Sequence, residues 1–407
     1  MTDADRIGTW LASHKEAQIA LLAELVKVPS DNPPGDCALH GDRAAELLVA
    51  MGFDVERYPV PAGLCQVNGM ISATNLVIRH KFGEGLVIAL NAHGDVVAPG
   101  EGWSRNPYGA EIVDGWMYGR GAAVSKSDFV TYAYALKALI QTGANLKGTV
   151  ELHLTYDEEA GGAIGPKWLI DEGISKPNYA ISAGFSYGVI TYHNGCLHLA
   201  VHVKGKSAHA AKPDTGHDAL QAANLLMTIL YDHKSLLLER VSEVEGIGSP
   251  QLNIGLIKGG INTNVVPDKV SMRLDRRLIP EEDAAEVEYD LRALINRSIP
   301  DLEGISVDVE RIMLAEPLKP VGDVQRLASI VQKHASAVLD QDIPQAGVPL
   351  YTDARHYAAH GIPTILYGAG PRSIEDANAH RADERLPLNL LQDAAKVIAL
   401  SIADLLV

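Results

Sequence analysis

The stretch HLTYDEEAGG, His153 to Gly162, closes an apolar alternating run with three consecutive acids and a glycine pair. Carboxylates side by side at a strand end repel one another, so folding alone does not favour them unless metal, another cation or substrate occupies the space they face. Glu158 and Glu159 are therefore candidate site residues, although for an isolated Asp-Glu-Glu the plainer reading is a solvated acidic turn. Two further stretches change that balance. GLVIALNAHGD ends in His93, Gly94 and Asp95, a spacing in which the imidazole can ligate a metal while the aspartate accepts its other ring proton. NAHRADE places His380 ahead of the final helical pattern. Each is weak alone. Together, two histidines and two glutamates suggest one carboxylate-and-imidazole site, suited to zinc or another borderline divalent metal.

These residues need elements that bring them together. Apolar spacing predicts one helix over 8–28, stopped by Pro29 and SDNPPGD, a second over 40–52, a strand near Val55 to Tyr58, and the strands NLVIRH and GLVIALNAHGD. A helix over 126–143 and a strand over 150–156 follow. Alternating strands and helices predict an α/β layer, in which sites gather at the carboxyl ends of the strands. After Gly195 the pattern changes. LHLAVHVK alternates strictly, with Leu197, Leu199, Val201 and Val203 on one face and His198, His202 and Lys204 on the other. A helix over 216–240, strands over 251–257 and KVSMRLDRR, a helix over 281–297 and the strand ISVDVERI complete a β-α-β-β-α-β order, that of a split-βαβ sandwich. Residues 196–312 read as an inserted domain within an α/β domain of residues 1–195 and 313–407. Helices over 323–339, 353–360 and 388–405 and the strand PTILYG resume the first pattern.

With 51 acidic residues against 35 Lys plus Arg, the formal charge of −16 argues against nucleic acid or an anionic membrane as partner. A 407-residue chain with 47% hydrophobic residues and no run of about 18 apolar residues reads as a soluble, two-domain protein. The opening MTDADRIGTW lacks the basic-then-apolar form of a signal peptide, which places the protein in the cytoplasm as an expectation. Cys37, Cys65 and Cys196 are too scattered for a disulfide framework or a thiolate metal site and read as structural.

AHGD, GRGAA followed by Lys126, TYDEEAGG, GKSAHAAKPDTGHDA, NTNVVPD, LDRR, YTDAR, GIPTILYGAG and AHRADE follow one another along nearly the whole chain. In kind, order and spacing they resemble the dinuclear zinc family that includes aminoacylase, acetylornithine deacetylase, succinyl-diaminopimelate desuccinylase and bacterial glutamate carboxypeptidase. The resemblance implies a zinc-exopeptidase-like α/β catalytic domain with an inserted ferredoxin-like lid and dimerisation domain. It implies a homodimer and hydrolysis of an amide C–N bond in a small N-acylated or amino-acid-like molecule. Carried over position by position, His93 matches a ligand of the first zinc and Asp95 its orienting partner. Glu158 matches the general base, and Glu159 and His380 match ligands of the second zinc. His209 matches a histidine that reaches across the dimer interface to the scissile carbonyl. Asn264 and Arg277 match residues that hold substrate, and the loop Gly368 to Gly370 lines the same pocket.

Two ligand positions depart from the family. The aspartate that bridges both metals after GRGA is Val124 here, and the carboxylate after the next strand is Gly184. A valine cannot ligate, and its apolar side chain penalises an unpaired cation beside it. Three readings stay open. One divalent metal (zinc, with manganese or cobalt as alternatives) is held by His93, Glu159 and His380, with Glu158 activating water. Or the site is metal-free, with Ser125 or Ser127 beside Lys126, or a water on Glu158, as nucleophile and His93 or His209 as acid. Or the chain is a non-catalytic relative that binds a small ligand. Ser125-Lys126-Ser127-Asp128 also reads plainly as a helix-capping stretch.

Overall fold

The computed structural model describes residues 2–298 and 303–407. They form two compact units, one of residues 2–191, 320–346 and 352–407, the other of residues 192–298, 303–319 and 347–351.

The first unit is built on an eight-stranded sheet in the order Glu56–Pro59, Thr74–Lys81, Thr149–Thr155, Val87–His93, Tyr179–Ser182, Thr364–Leu366, Val189–His193, Gln345–Val348. Thr149–Thr155, Val87–His93, Tyr179–Ser182 and Thr364–Leu366 are mutually parallel. Their carboxyl ends therefore share one edge, where His93 pairs with Thr155. Strand period two divides the residues between faces. Ile88, Leu90, Ala92, Val150, Leu152 and Leu154 join the main core, which is covered by Lys126–Gln141 and Asn389–Leu405 among other helices. Ala89 and Ala180 pack instead against Tyr357 and Ile362. On that face His153 meets the Tyr357 hydroxyl at 2.7 Å and Glu151 at 3.0 Å. No helix among the described residues is long and apolar enough to cross a membrane.

The helical spacing over 8–28 is realised as two helices, Asp3–Ser13 and Lys15–Val26. His14 leaves the helical region between them, and its Nδ1 and the Ser13 hydroxyl both bond to the Trp10 carbonyl, at 2.8 and 2.7 Å. Side chains that compete for a helical carbonyl favour a break there.

The second unit carries a four-stranded antiparallel sheet in the order Gln251–Gly259, Lys269–Leu278, Gly195–Lys204, Ser306–Ala315. The connecting helices are Ala219–Leu237 and Ala284–Arg297, each opened by an aspartate, Asp218 or Asp283, whose side chain accepts first-turn backbone N–H groups. Leu197, Leu199, Val201 and Val203 form a separate core with Leu226, Leu230, Leu291 and Ile295. Their strand neighbours Cys196, His198 and His202 therefore take the opposite face.

Candidate active site

Asp95 is fully buried two residues past His93, and the acidic turn is arranged around it. Its carboxylate accepts the backbone N–H of Glu158 at 3.3 Å, that of Glu159 at 3.1 Å, and Asn32 Nδ2 at 2.9 Å. The same carboxylate lies 3.3 Å from His93 Nδ1, which is also 3.0 Å from the Asp95 carbonyl. Both contacts on Nδ1 leave Nε2 facing the turn, 3.9 Å from Glu158 Oε2. One ligand atom each from His93, Glu158 and Glu159 lies within 4.8 Å of the others.

Burial works against a charge on His93, but Glu158, Asp95 and Glu159 outweigh it and hold the imidazole well above its ordinary range. Burial pushes the Glu158 carboxyl up to about 8; His93 pulls it back, while Glu159 and Asp95 add to the rise. The two shifts have different leading causes, the neighbouring carboxylates for His93 and burial for Glu158, and the crowding of Glu159 and Asp95 adds to both.

His380 closes the site from another loop, its Nε2 3.2 Å from Glu159 Oε1, and that hydrogen bond raises its pKa against the effect of burial. The loop is strained, with Asn378, His380 and Asp383 all at positive φ (49°, 61° and 57°). It is anchored by Glu384, whose Oε2 meets Arg120 Nη1 at 2.6 Å, both side chains being 1% exposed. Glu384 Oε1 accepts the backbone N–H groups of Ala123 and Val124 at 3.1 Å, and Arg120 Nη2 donates to the Arg381 carbonyl at 3.2 Å. One buried ion pair thus ties the His380 loop to the Val124 turn.

The departures from the family have structural counterparts. Val124 is half-buried against the main core. A Cβ on Gly184 would lie 2.9 Å from both Leu366 Cβ and the Tyr367 backbone nitrogen, so no carboxylate fits there without moving the neighbouring strand. Buried Asp128 takes up the loop instead, accepting Gly184 N–H at 3.3 Å and Ala369 N–H at 2.7 Å, with burial pushing its carboxyl up to about 7. Gly368 and Gly370 belong to the same corner, their carbonyls accepting the Ser186 hydroxyl and Ser186 N–H at 2.7 and 2.8 Å. Ser125 Oγ donates to the His93 carbonyl at 3.2 Å, Ser127 Oγ to the Ala123 carbonyl at 3.3 Å, and Lys126 Nζ to the Val28 carbonyl at 3.0 Å. The Ser-Lys-Ser stretch is engaged with backbone and opens the helix Lys126–Gln141, but Ser125 makes no side-chain capping bond, its hydroxyl donating to the His93 carbonyl instead.

No residue of YTDAR has a role that its sequence alone assigns. Asp353 is buried, with Oδ1 unpartnered among the described residues, and burial followed by repulsion from Glu158 raises its carboxyl to about 8. Arg355 and His356 both bond to the Gly161 carbonyl. Gly162, at φ +70°, is where the acidic turn passes so close to Asp353 Oδ1 and His356 that a Cβ would overlap both. The signal was a charged pair in a short motif, with nothing in the chain order to show that it closes on the acidic turn.

In the second unit the structure brings His209 and Asn264 together: His209 bridges to Val265, and Ala210 N–H donates to the Asn264 carbonyl at 3.0 Å. Both side chains are exposed. Arg277 is not with them. It forks onto Asp275, Nε to Oδ1 at 2.9 Å and Nη2 to Oδ2 at 3.1 Å, and lies over the Tyr351 ring.

The donor set suits a cation. His93 and Glu159 face one point and His380 reaches Glu159, so two imidazoles and a carboxylate are available beside Glu158. The charge that buried His93 retains among carboxylates is the role a bound divalent ion fills. No donor comes from position 124 or 184.

Residues 89–404 match the model of peptidase family M20/M25/M40. Over 337 residues the chain is 26% identical to a succinyl-diaminopimelate desuccinylase of Nautilia profundicola, covering 80% of this chain and 86% of that one. Over 370 residues it is 26% identical to an acetylornithine deacetylase of Myxococcus xanthus, covering 89% and 90%. Its fold is similar to that of Bacillus subtilis YxeP, a dinuclear metal-binding peptidase of the M20 family, with a TM-score of 0.69 over 97% of this chain and 99% of that one at 17% identity.

Proposed function

Because the chain belongs to peptidase family M20/M25/M40, a family of metal-dependent hydrolases acting on amide C–N bonds, we propose that it cleaves the amide of a small N-acylated amino acid or dipeptide with Glu158 as general base. The observation that carries this reading is the buried meeting of His93, Glu158 and Glu159 around Asp95. Glu158 is 13% exposed and faces His93 Nε2, so it can reach a water at the mouth of the cluster. In its ionised form it takes the proton from that water as the water attacks the carbonyl carbon, and returns it to the leaving nitrogen. Asp95 keeps the His93 ring oriented and the Glu158 backbone in place throughout.

His93, Glu159 and His380 would hold one divalent ion, zinc in the first instance and manganese or cobalt as alternatives. Such an ion, when bound, supplies Lewis-acid polarisation of the carbonyl. Substitution of both remaining carboxylate positions by Val124 and Gly184 supports one ion rather than two. By analogy with the family, His209 would act at the scissile carbonyl, Asn264 would hold substrate, and the Gly368 to Gly370 loop would line the same pocket. Arg277 would receive a substrate carboxylate with the guanidinium edge that Asp275 leaves free.

The chain would work as a homodimer through its inserted domain. Support comes from the edge strand Gln251–Gly259, where Leu256 and Ile257 are exposed, and from Leu225, Tyr231 and Leu236 exposed on Ala219–Leu237. If His209 serves the partner's site, mixed dimers of His209→Ala with Glu158→Ala regain part of the lost activity. No regain would refute action in trans.

The decisive experiment is turnover of a panel of N-acyl amino acids and dipeptides by wild type and Glu158→Ala, with elemental analysis of the bound metal. We expect turnover that is lost in the variant while substrate binding is retained, and about one equivalent of metal that is missing from the doubly substituted His93→Ala, Glu159→Ala protein. Equal turnover by the two proteins would sink the assignment.

A further inference from the structure

We propose that Cys196, His198 and Asp275, on the outer face of the inserted sheet, form a second divalent-metal site of the zinc or cobalt(II) class.

The site follows from strand geometry. Cys196 and His198 stand two residues apart on Gly195–Lys204, so their side chains emerge on the same face. On the adjoining strand Lys269–Leu278, Asp275 is directly opposite His198 and Arg277 directly opposite Cys196. The four side chains make a rectangle whose corners are held by central strands of the sheet. Cys196 Sγ lies 3.6 Å from Asp275 Oδ1, and His198 Nε2 lies 3.5 Å from Asp275 Oδ2. One ligand atom from each of the three residues falls within 4.8 Å of the other two.

These separations, though to different oxygens of the Asp275 carboxylate, are close to those of tetrahedral coordination, and a small turn of the carboxylate would bring one oxygen to both. Bonds of about 2.3 Å to sulfur and about 2.0 Å to nitrogen or oxygen, meeting at the tetrahedral angle, put sulfur and oxygen about 3.5 Å apart and nitrogen and oxygen about 3.3 Å apart. A thiolate, an imidazole and a carboxylate are the donors that borderline divalent ions prefer, and thiolate plus carboxylate balance the ion's charge. Cys196 forms the buried floor, whereas His198 and Asp275 are about a third exposed and leave an entry path and a fourth position open to solvent. Arg277 forks onto both Asp275 oxygens. A carboxylate has about four lone-pair sites, so it can keep that fork while ligating, and the arginine then orients a ligand as outer partners of metal sites do. Burial raises the pKa of the Cys37 and Cys65 thiols, and among the described residues neither stands in such a cluster.

The site shares no residue with the His93 cluster, so its test does not depend on the proposed hydrolytic reaction. Full-length protein stripped by chelator is titrated with cobalt(II), and the thiolate-to-cobalt charge-transfer band is followed in the near ultraviolet. The band is expected to account for about one of the equivalents bound per chain. It should vanish in Cys196→Ser and persist in the doubly substituted His93→Ala, Glu159→Ala protein. No band in wild type at saturating cobalt, or a band that survives Cys196→Ser, overturns the proposal. Should Cys196→Ser not fold, His198→Gln serves instead. Its half-saturation is expected to move by at least about tenfold, and an unchanged value overturns the proposal.

Discussion

At the edge of the first sheet, His93 ends a strand while Glu158, Glu159 and His380 lie in turns and loops; on the inserted sheet Cys196, His198 and Asp275 all lie within strands. In the first cluster the donors are brought together by one buried carboxylate, Asp95, and by the Arg120–Glu384 pair behind the His380 loop. In the second they are brought together by ladder hydrogen bonds that are independent of the side chains they position. The contrast teaches where each arrangement is vulnerable. A loop-built cluster fails when a residue that touches no substrate is removed, whereas a strand-built one loses only the side chain replaced.

Asp95→Ala should therefore have the largest effect. It strips a partner from the Glu158 and Glu159 N–H groups, Asn32 and His93 at once, and each buried polar group left unsatisfied costs roughly 1–3 kcal/mol. Urea unfolding should show a loss on the order of 3–5 kcal/mol, and turnover should disappear. Asp275→Ala, on the half-open face, should cost no more than about 1–2 kcal/mol by the same measurement. Equal losses would break the comparison.

Glu158→Gln is expected to lower turnover by roughly 10²–10⁴-fold without lowering stability. Its pH dependence sharpens the point. The Glu158 carboxyl is raised from 4.5 to about 8, so its contribution to stability is fully present below pH 4.5 and is lost as pH rises through 8. In chelator-treated protein the variant should gain on wild type over that interval. A gap between their melting temperatures that stays constant from pH 5 to 8 would show that the carboxyl is not shifted.

The two altered ligand positions should respond differently to repair. Gly184→Ala forces a methyl against Leu366 and the Tyr367 backbone and should cost about 1–3 kcal/mol. Val124→Asp, at a half-buried turn, should fold and raise bound zinc above the wild-type level. Zinc content unchanged by Val124→Asp would mean that position 124 does not face the ion.

The smallest effect concerns Asp275. Burial alone would raise its carboxyl, but His198 and Arg277 outweigh this and bring it down to about 2. Its stabilisation is present above the ordinary aspartate pKa near 4 and fades as pH falls toward 2. Wild type and Asp275→Asn should differ by on the order of 1 kcal/mol at pH 7, and the gap should shrink between pH 4 and pH 2. A gap that persists at pH 2 would remove the ion pair as its source.

Much is legible in the amino-acid sequence. Strict alternation in LHLAVHVK marked an inserted sheet with one apolar face, and the adjacent carboxylates of the acidic turn, taken together with His93 and His380, made a candidate site because nothing in local folding favours them. The helix over 8–28 was misjudged at His14, since a side chain's competition for a carbonyl leaves the apolar spacing intact. The anchoring roles of Glu384, Asp128 and Asp353 were also not legible. Their partners lie 260, 241 and 198 residues away in the chain, and no periodicity links positions so far apart.

The sequence by itself determined the chemistry on offer: which residues can ligate, which can take a proton, and that positions 124 and 184 can do neither. Only the tertiary structure decided which of them meet. It placed Asp95 beneath the acidic turn, filled the space above Gly184 with the neighbouring strand, and set Asp275 across from His198. The reason is physical. A residue type and its local pattern follow from a few neighbouring positions, whereas the distance between two side chains depends on strand order and register, which the packing of the whole core sets.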